Sequence, residues 1–252
     1  MTPHILVTRP SGQADDLCRL LVERSVAPQA VPTVAIDTTS AAAGLDAVLT
    51  DLEGADWLVL TSANGAEALA ARLLASGRRL PDRLRIAAVG PATADALAAA
   101  GVRVDHVPDR YLTVAIAEGL GDLRGRRVVL ARADTATPAL HDALVARGAI
   151  VEEAIAYRTI EGPASSRELL RVTLQRDLDG IAFTSGSTVR GLMRLASPID
   201  RARARTLAAF CIGPVTAAEA RNSGFHVAAV AAEHTASGLA DAIATNLARV
   251  TR

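Results

Sequence analysis

The chain has 252 residues, half of them apolar, with 27 arginines set against 27 acidic residues and no lysine at all. So apolar a chain is not disordered, its balanced charge gives no pull towards nucleic acid or anionic membrane, and no run nears the roughly 18 apolar residues of a membrane span. The missing lysine excludes a Schiff-base or pyridoxal lysine, a P-loop lysine and a lysine base, and leaves planar guanidinium forks as the fixed cations.

The first strand-like run, Ile5–Thr8, follows Met1-Thr2-Pro3-His4 with no basic, hydrophobic leader, so a cytoplasmic protein is expected. Leu17, Leu20 and Leu21 then mark a helix over Gln13–Arg24, ending at a turn near Ser25. The extended run Gln29–Asp37 contains Pro32 and follows Pro28, which suits an edge or connecting strand. Strand Trp57–Thr61, helix Ala66–Leu74, strand Ile86–Val89 and helix Pro91–Ala100 come next, then a short strand Val102–Val107 and a helix Val114–Leu120. After the polar turn at 121–125 the series repeats: strand Val128–Ala131, helix Pro138–Arg147, extended run Ile150–Ile160, strand Ile181–Thr184 and helix Thr188–Leu195. It closes with strand Ala208–Ile212, helix Pro214–Asn222, strand Phe225–Val230 and helix Ser237–Leu247. Arg201, Arg203 and Arg205 alternate with other residues in what reads as a loop, a solvated face rather than a nucleic-acid patch.

The two series are copies at an offset of 123 residues. Asp56-Trp57-Leu58-Val59-Leu60-Thr61-Ser62 returns as Asp179-Gly180-Ile181-Ala182-Phe183-Thr184-Ser185, and Val89-Gly90-Pro91-Ala92-Thr93-Ala94 as Ile212-Gly213-Pro214-Val215-Thr216-Ala217. Solenoid periods reach only about 50 residues, so a unit of this length is a domain-sized plan. Alternating strands and helices with near-continuous apolar strands predict α/β architecture with parallel sheets covered on both faces, of the doubly wound, flavodoxin-like class. Function is then expected where the copies face each other.

In such sheets ligands bind beyond the carboxyl ends of the strands. Those ends carry Thr8-Arg9, Ser62, Gly90-Pro91-Ala92-Thr93, Arg132, Ser185 and Gly213-Pro214-Val215-Thr216. In both Gly-Pro-x-Thr elements the proline fits the first helical position, and the next N–H groups would favour an anion by about 0.3–1 kcal/mol per contact. Each hydroxyl also reads as a simple helix cap, and Arg9 and Arg132 equally as strand-end salt-bridge partners. Tyr157, one of two tyrosines with Tyr111, lies in an extended run where the other copy has Val34. It reads either as a donor to a cleft or as a packed strand residue. Cys18 and Cys211 read as reduced thiols in apolar surroundings. The five histidines lack metal-ligand spacing, so no metal site is expected. Gly-x-Gly-x-x-Gly and Gly-x-Ser-x-Gly are missing as well.

Taken in order, Ile5-Leu6-Val7-Thr8-Arg9-Pro10, Thr61-Ser62-Ala63-Asn64-Gly65, Val89-Gly90-Pro91-Ala92-Thr93-Ala94, Tyr157-Arg158-Thr159, Phe183-Thr184-Ser185-Gly186-Ser187 and Ile212-Gly213-Pro214-Val215-Thr216-Ala217 resemble the uroporphyrinogen-III synthase family across the whole chain. The resemblance implies two α/β lobes joined by a two-stranded connector: residues 1–34 with 160–252, and residues 35–159. The runs Pro32–Asp37 and Ala154–Ile160 would supply that connector. It implies an enzyme, a cyclising lyase that turns linear hydroxymethylbilane into uroporphyrinogen III with loss of water and inversion of ring D. Tyr157 is similar to the family tyrosine proposed to assist the departing hydroxyl; Ser62, Thr93, Ser185 and Thr216 match its substrate-binding positions, with Thr8 and Arg9 as neighbours, and Arg132 stands as a further candidate from the strand ends. A monomer acting on a small tetrapyrrole substrate, without cofactor, nucleic acid or membrane, is expected. Where relatives contact substrate through lysine, this chain must use arginine or backbone. The competing readings are a non-catalytic bilobal module for a small anion and, less favoured by the zero net charge, a nucleic-acid-binding regulator.

Overall fold

A computed structural model describes residues 2–110 and 113–250; Tyr111 lies outside the described residues. In chain order the elements are β1 (His4–Val7), α1 (Ala14–Glu23), β2 (Ala27–Ala30), β3 (Val34–Asp37), α2 (Ala42–Thr50), β4 (Trp57–Leu60), α3 (Ala63–Ser76), β5 (Arg85–Ala88), α4 (Pro91–Ala99) and α5 (Ala115–Gly119). Then follow β6 (Arg127–Ala133), α6 (Ala139–Ala146), β7 (Ile150–Glu161), α7 (Arg167–Thr173), β8 (Gly180–Phe183) and α8 (Gly186–Leu195). The last elements are α9 (Pro198–Ala204), β9 (Ala208–Cys211), α10 (Pro214–Asn222), β10 (Val227–Val230) and α11 (Ala236–Val250). Among the described residues no helix is long and apolar enough to cross a membrane.

The chain divides into two compact units, Met1–Ala35 with Ile160–Arg252, and Ile36–Thr159. The sheet of the first runs β10-β9-β8-β1-β2 with its neighbours parallel. The other sheet runs β3-β7-β6-β4-β5, with β7, β6, β4 and β5 parallel. Under the 123-residue offset β1 corresponds to β6, β2 to the first part of β7, β4 to β8 and β5 to β9. Each unit therefore draws strands from both copies.

Both faces of each sheet are covered, which explains the continuous apolar strands. In β8, Ile181 and Phe183 enter one apolar cluster with Val189 and Leu192 of α8, while Ala182 enters another with Leu17, Leu21, Leu239 and Ile243. The other sheet alternates in the same way: Leu58 and Leu60 of β4 join one cluster, Trp57 and Val59 the opposite one. Burying a large apolar side chain contributes about 1.5–3 kcal/mol, and a charged residue inside any of these strands would be strongly destabilising.

Three expectations change. Val102–Val107 forms no strand, only a single bridge between Ala87 and His106. The Asp105 carboxylate takes the Ile86 N–H at 2.9 Å, and the Ile86 carbonyl accepts from both Asp105 and His106, so the ladder cannot propagate. The run Gln29–Asp37 is broken between β2 and β3, where Pro32 has no N–H to give. Arg201 and Arg203 lie in a helix, α9, with Arg205 at its end; Ser197 caps it by accepting from the Asp200 N–H at 3.2 Å, and Pro198 opens its first turn.

Both cysteines are free. Cys211 is fully buried at the end of β9, and desolvation pushes its thiol pKa up to about 11. An unfolded thiol titrates near ~8.5, so between these values the unfolded chain holds fewer protons and stability falls as pH rises. With no lysine in the chain, few other groups titrate there. The urea midpoint is expected to fall between about pH 9 and pH 11, and less steeply in Cys211→Ala; equal slopes in the two proteins would remove this assignment.

Candidate functional site

In the first unit the candidates sit at the carboxyl ends of three neighbouring strands, β1, β8 and β9. Thr8 is buried and its hydroxyl donates to the Ala182 carbonyl at 2.7 Å, so its proton is committed within the sheet. Arg9, the next residue, is half-buried. Among the described residues its guanidinium forms no salt bridge, and Asp16, which acts on it through space, is paired with Arg19 at 2.8 Å. Burial lowers the Arg9 pKa, the carboxylate of Asp16 opposing it, yet a guanidinium stays charged at neutral pH. A cation partly removed from water gains most from a carboxylate.

Ser185 caps α8. Its hydroxyl oxygen accepts from the Thr188 N–H at 3.3 Å, the Thr188 hydroxyl accepts from the Ser185 N–H at 3.3 Å, and the Ser187 hydroxyl lies 2.8 Å away. This reciprocal bonding is a capping box. At α10 the cap is Gly213, which has no side chain to offer, so the first-turn N–H groups lack the cap that α8 has. Thr216 sits in that turn and is only 5% exposed.

In the second unit the four parallel strands β7, β6, β4 and β5 carry Tyr157, Arg132, Ser62 and Thr93 in that order. Ser62 caps α3 by accepting from the Gly65 N–H at 3.1 Å. Gly90 and Pro91 open α4 as Gly213 and Pro214 open α10, and Thr93 is 3% exposed. Arg132 donates to the Thr137 carbonyl at 2.7 Å and to both Glu153 oxygens at 2.6 and 2.7 Å. Of the two arginines related by the repeat, then, Arg132 is a salt-bridge partner, and among the described residues Arg9 is not. Tyr157, level with the end of β6, is 7% exposed and belongs to an apolar cluster with Leu60, Ala131 and Ala156.

Sequence reasoning passed over Glu161, a nearly buried carboxylate held by Arg190 at 2.7 Å and Arg194 at 3.3 Å, and the buried hydroxyls Thr33 and Thr188. Nothing in their local sequence marks them, because most of their partners come from distant segments. A cavity of about 840 Å³ in the second unit lies elsewhere, along the ends of α3 and α4 and the start of β5, at the opposite end of the sheet from Ser62 and Thr93. Among the described residues no group of three or more His, Cys, Asp or Glu side chains could hold a metal ion.

The family model described as Uroporphyrinogen-III synthase HemD matches residues 15–241. The chain belongs to the uroporphyrinogen-III synthase family. A uroporphyrinogen-III synthase of Synechococcus elongatus is 32% identical over 246 residues, covering 95% of this chain and 93% of that one. Among solved structures, a mutant uroporphyrinogen III synthase from Thermus thermophilus is similar with a TM-score of 0.65, at 21% identity over 98% of this chain and 99% of that one. The uroporphyrinogen-III synthetase of Helicobacter pylori 26695 follows with a TM-score of 0.59, at 15% identity over 99% of this chain and 100% of that one. At these identities the two structures speak for the fold.

The contrast between the arginines has a measurable consequence. Arg132→Ala removes the pair with the exposed Glu153 and the bond to the Thr137 carbonyl and is expected to cost about 1 kcal/mol in denaturant unfolding, whereas Arg9→Gln should change stability by less than about 0.5 kcal/mol. Equal losses would contradict the pairing of Arg132 with Glu153.

Proposed function

We propose that this chain converts hydroxymethylbilane to uroporphyrinogen III in tetrapyrrole biosynthesis, acting as a cyclising hydro-lyase. The observation that carries the reading is the family match across residues 15–241, nearly the whole chain. We read the parts 1–34 with 160–252 and 35–159 as two flavodoxin-like lobes, joined by the strand runs Pro32–Asp37 and Ala154–Ile160. Counted within the first unit, its strand order is 2-1-3-4-5, the flavodoxin order, which supports this. The same reading has the protein act as a cytoplasmic monomer without cofactor or nucleic acid; the balanced charge supports the last of these.

The chemistry asks little acid–base equipment of the protein. A pyrrole nitrogen lone pair expels the hydroxyl group and leaves an electrophilic azafulvene carbon. The substituted end of ring D attacks that carbon through a spiro intermediate, and the ring inverts as the macrocycle forms. The protein's task is to hold a flexible chain in that geometry, which alone is worth several orders of magnitude. The substrate carboxylates call for donors. Arg9 offers a guanidinium without a salt-bridge partner among the described residues, and the α4 and α10 amino ends offer N–H groups and a favourable dipole. Ser62 and Ser185 accept through oxygen in their caps. Thr93 and Thr216 sit in the opening turns of α4 and α10, and Thr8 contributes by fixing the Arg9 segment. Arg132 retains its Nε–H and further N–H capacity beyond its bonds to Glu153 and Thr137. Tyr157 is the donor to the departing hydroxyl group.

Hydroxymethylbilane closes unaided to isomer I, so the product isomer tests the function directly: isomer III is expected with the protein, and isomer I alone would leave only a binding module. Tyr157→Phe is expected to lower kcat about tenfold or more, equivalent to about 1.4 kcal/mol, and more than Thr93→Ala, with an unchanged circular dichroism spectrum. A full-rate Tyr157→Phe variant would remove the donor role.

A further inference from the structure

The 123-residue echo pairs Thr8, Thr33 and Thr188 with Ala131, Ala156 and Gly65. In the first unit the three threonines meet, all buried, at the carboxyl end of the sheet. The Thr33 hydroxyl lies 2.8 Å from the Thr188 carbonyl and 3.1 Å from the Thr8 carbonyl, and the Thr33 N–H also donates to the Thr8 carbonyl at 3.3 Å. Thr8 and Thr188 pass the connection on: the Thr8 hydroxyl donates to the Ala182 carbonyl, and the Thr188 hydroxyl donates to the Ser185 carbonyl at 2.7 Å. The Thr33 carbonyl accepts from the Gly162 N–H at 2.9 Å. Close approach of α8 depends on Gly191, where a Cβ would stand 2.0 Å from the Thr33 oxygen. In the second unit the corresponding place is filled by contact alone: a Cβ on Gly65 would lie 3.6 Å from the Ala131 carbonyl and 3.8 Å from the Ala156 methyl.

We propose that Thr33 is a positioning residue for the cyclisation: one hydroxyl clamps the segment that carries Arg9 to the first turns of α8, which begin at Ser185, and so sets the spacing of two substrate-binding groups. This rests on the function proposed above. Thr33 itself is buried and acts through its neighbours. The physical case is that a single proton shared between two carbonyls ties a strand end to a helix start, across 155 residues of sequence from Thr33 to Thr188. A threonine that merely filled space would be replaced by valine at little cost to substrate binding.

The test compares Thr33→Val, which keeps the shape and loses the hydroxyl, with Thr33→Ser, which keeps the hydroxyl, well below their thermal midpoints. Thr33→Val is expected to raise KM for hydroxymethylbilane about three- to tenfold with a smaller change in kcat, and to release more isomer I. Thr33→Ser should restore both. In a cycle with Arg9→Gln, the two KM effects should combine to less than their product, as expected of coupled residues. If Thr33→Val fails to fold, Thr33→Ala is read in the same way. A wild-type KM in the hydroxyl-free variant, or independent effects in the cycle, would overturn the positioning role while wild-type isomer III still upheld the function. Wild-type protein that yields only isomer I would instead sink the function itself.

Discussion

Both faces of each sheet are buried, and most of what distinguishes this protein follows from that constraint. A strand covered on two sides can carry neither charge nor an unmatched polar group without a large penalty. β1, β4, β8 and β9 therefore carry no acidic side chain and no arginine along their length. Polar side chains are pushed to the carboxyl ends, where strands give way to helix starts and the backbone already presents N–H groups. Small hydroxyls suit those places because they cap helices and shape the surface at little cost in volume.

The strand ends are not equivalent, although the sequence repeats. Thr8-Arg9 and Ala131-Arg132 occupy corresponding positions, yet Arg132 is held by Glu153 and Thr137 while Arg9 has no salt bridge among the described residues. The difference arises one strand away: Glu153 of β7 corresponds to Ala30 of β2, so only the second unit has a carboxylate at that point. The polar knot around Thr33 and its apolar counterpart around Ala156 diverge in the same way. A duplicated plan has thus kept its backbone and specialised its corners.

Much of the architecture is legible from periodicity. Apolar strands buried on both faces leave an unmistakable run, and the Gly-Pro-x-Thr elements announce α4 and α10 because proline at the first helical position and a glycine cap are local signals. The elements that escape are short or decided by side chains. α9 is hidden by its arginines, although Ser197-Pro198 marks its start. The run at Val102–Val107 has strand composition but loses its ladder to the Asp105 carboxylate, a competition that composition cannot register. Helix α2 carries the stripe Leu45, Val48 and Leu49 and is readable in principle.

The repeat, the α/β alternation, the family and the short set of strand-end residues are all written in local pattern or ordered motifs, and the amino-acid string suffices for them. Folding was needed to settle which residues of that set are already engaged: Thr8 with Ala182, Arg132 with Glu153, Tyr157 in an apolar cluster. Each compact unit takes strands from both copies, a division that the family resemblance implies and periodicity alone does not show. The physical reason is the same in every case. A hydrogen bond or an ion pair depends on what lies opposite in space, and in a parallel sheet the neighbour opposite comes from a distant part of the chain.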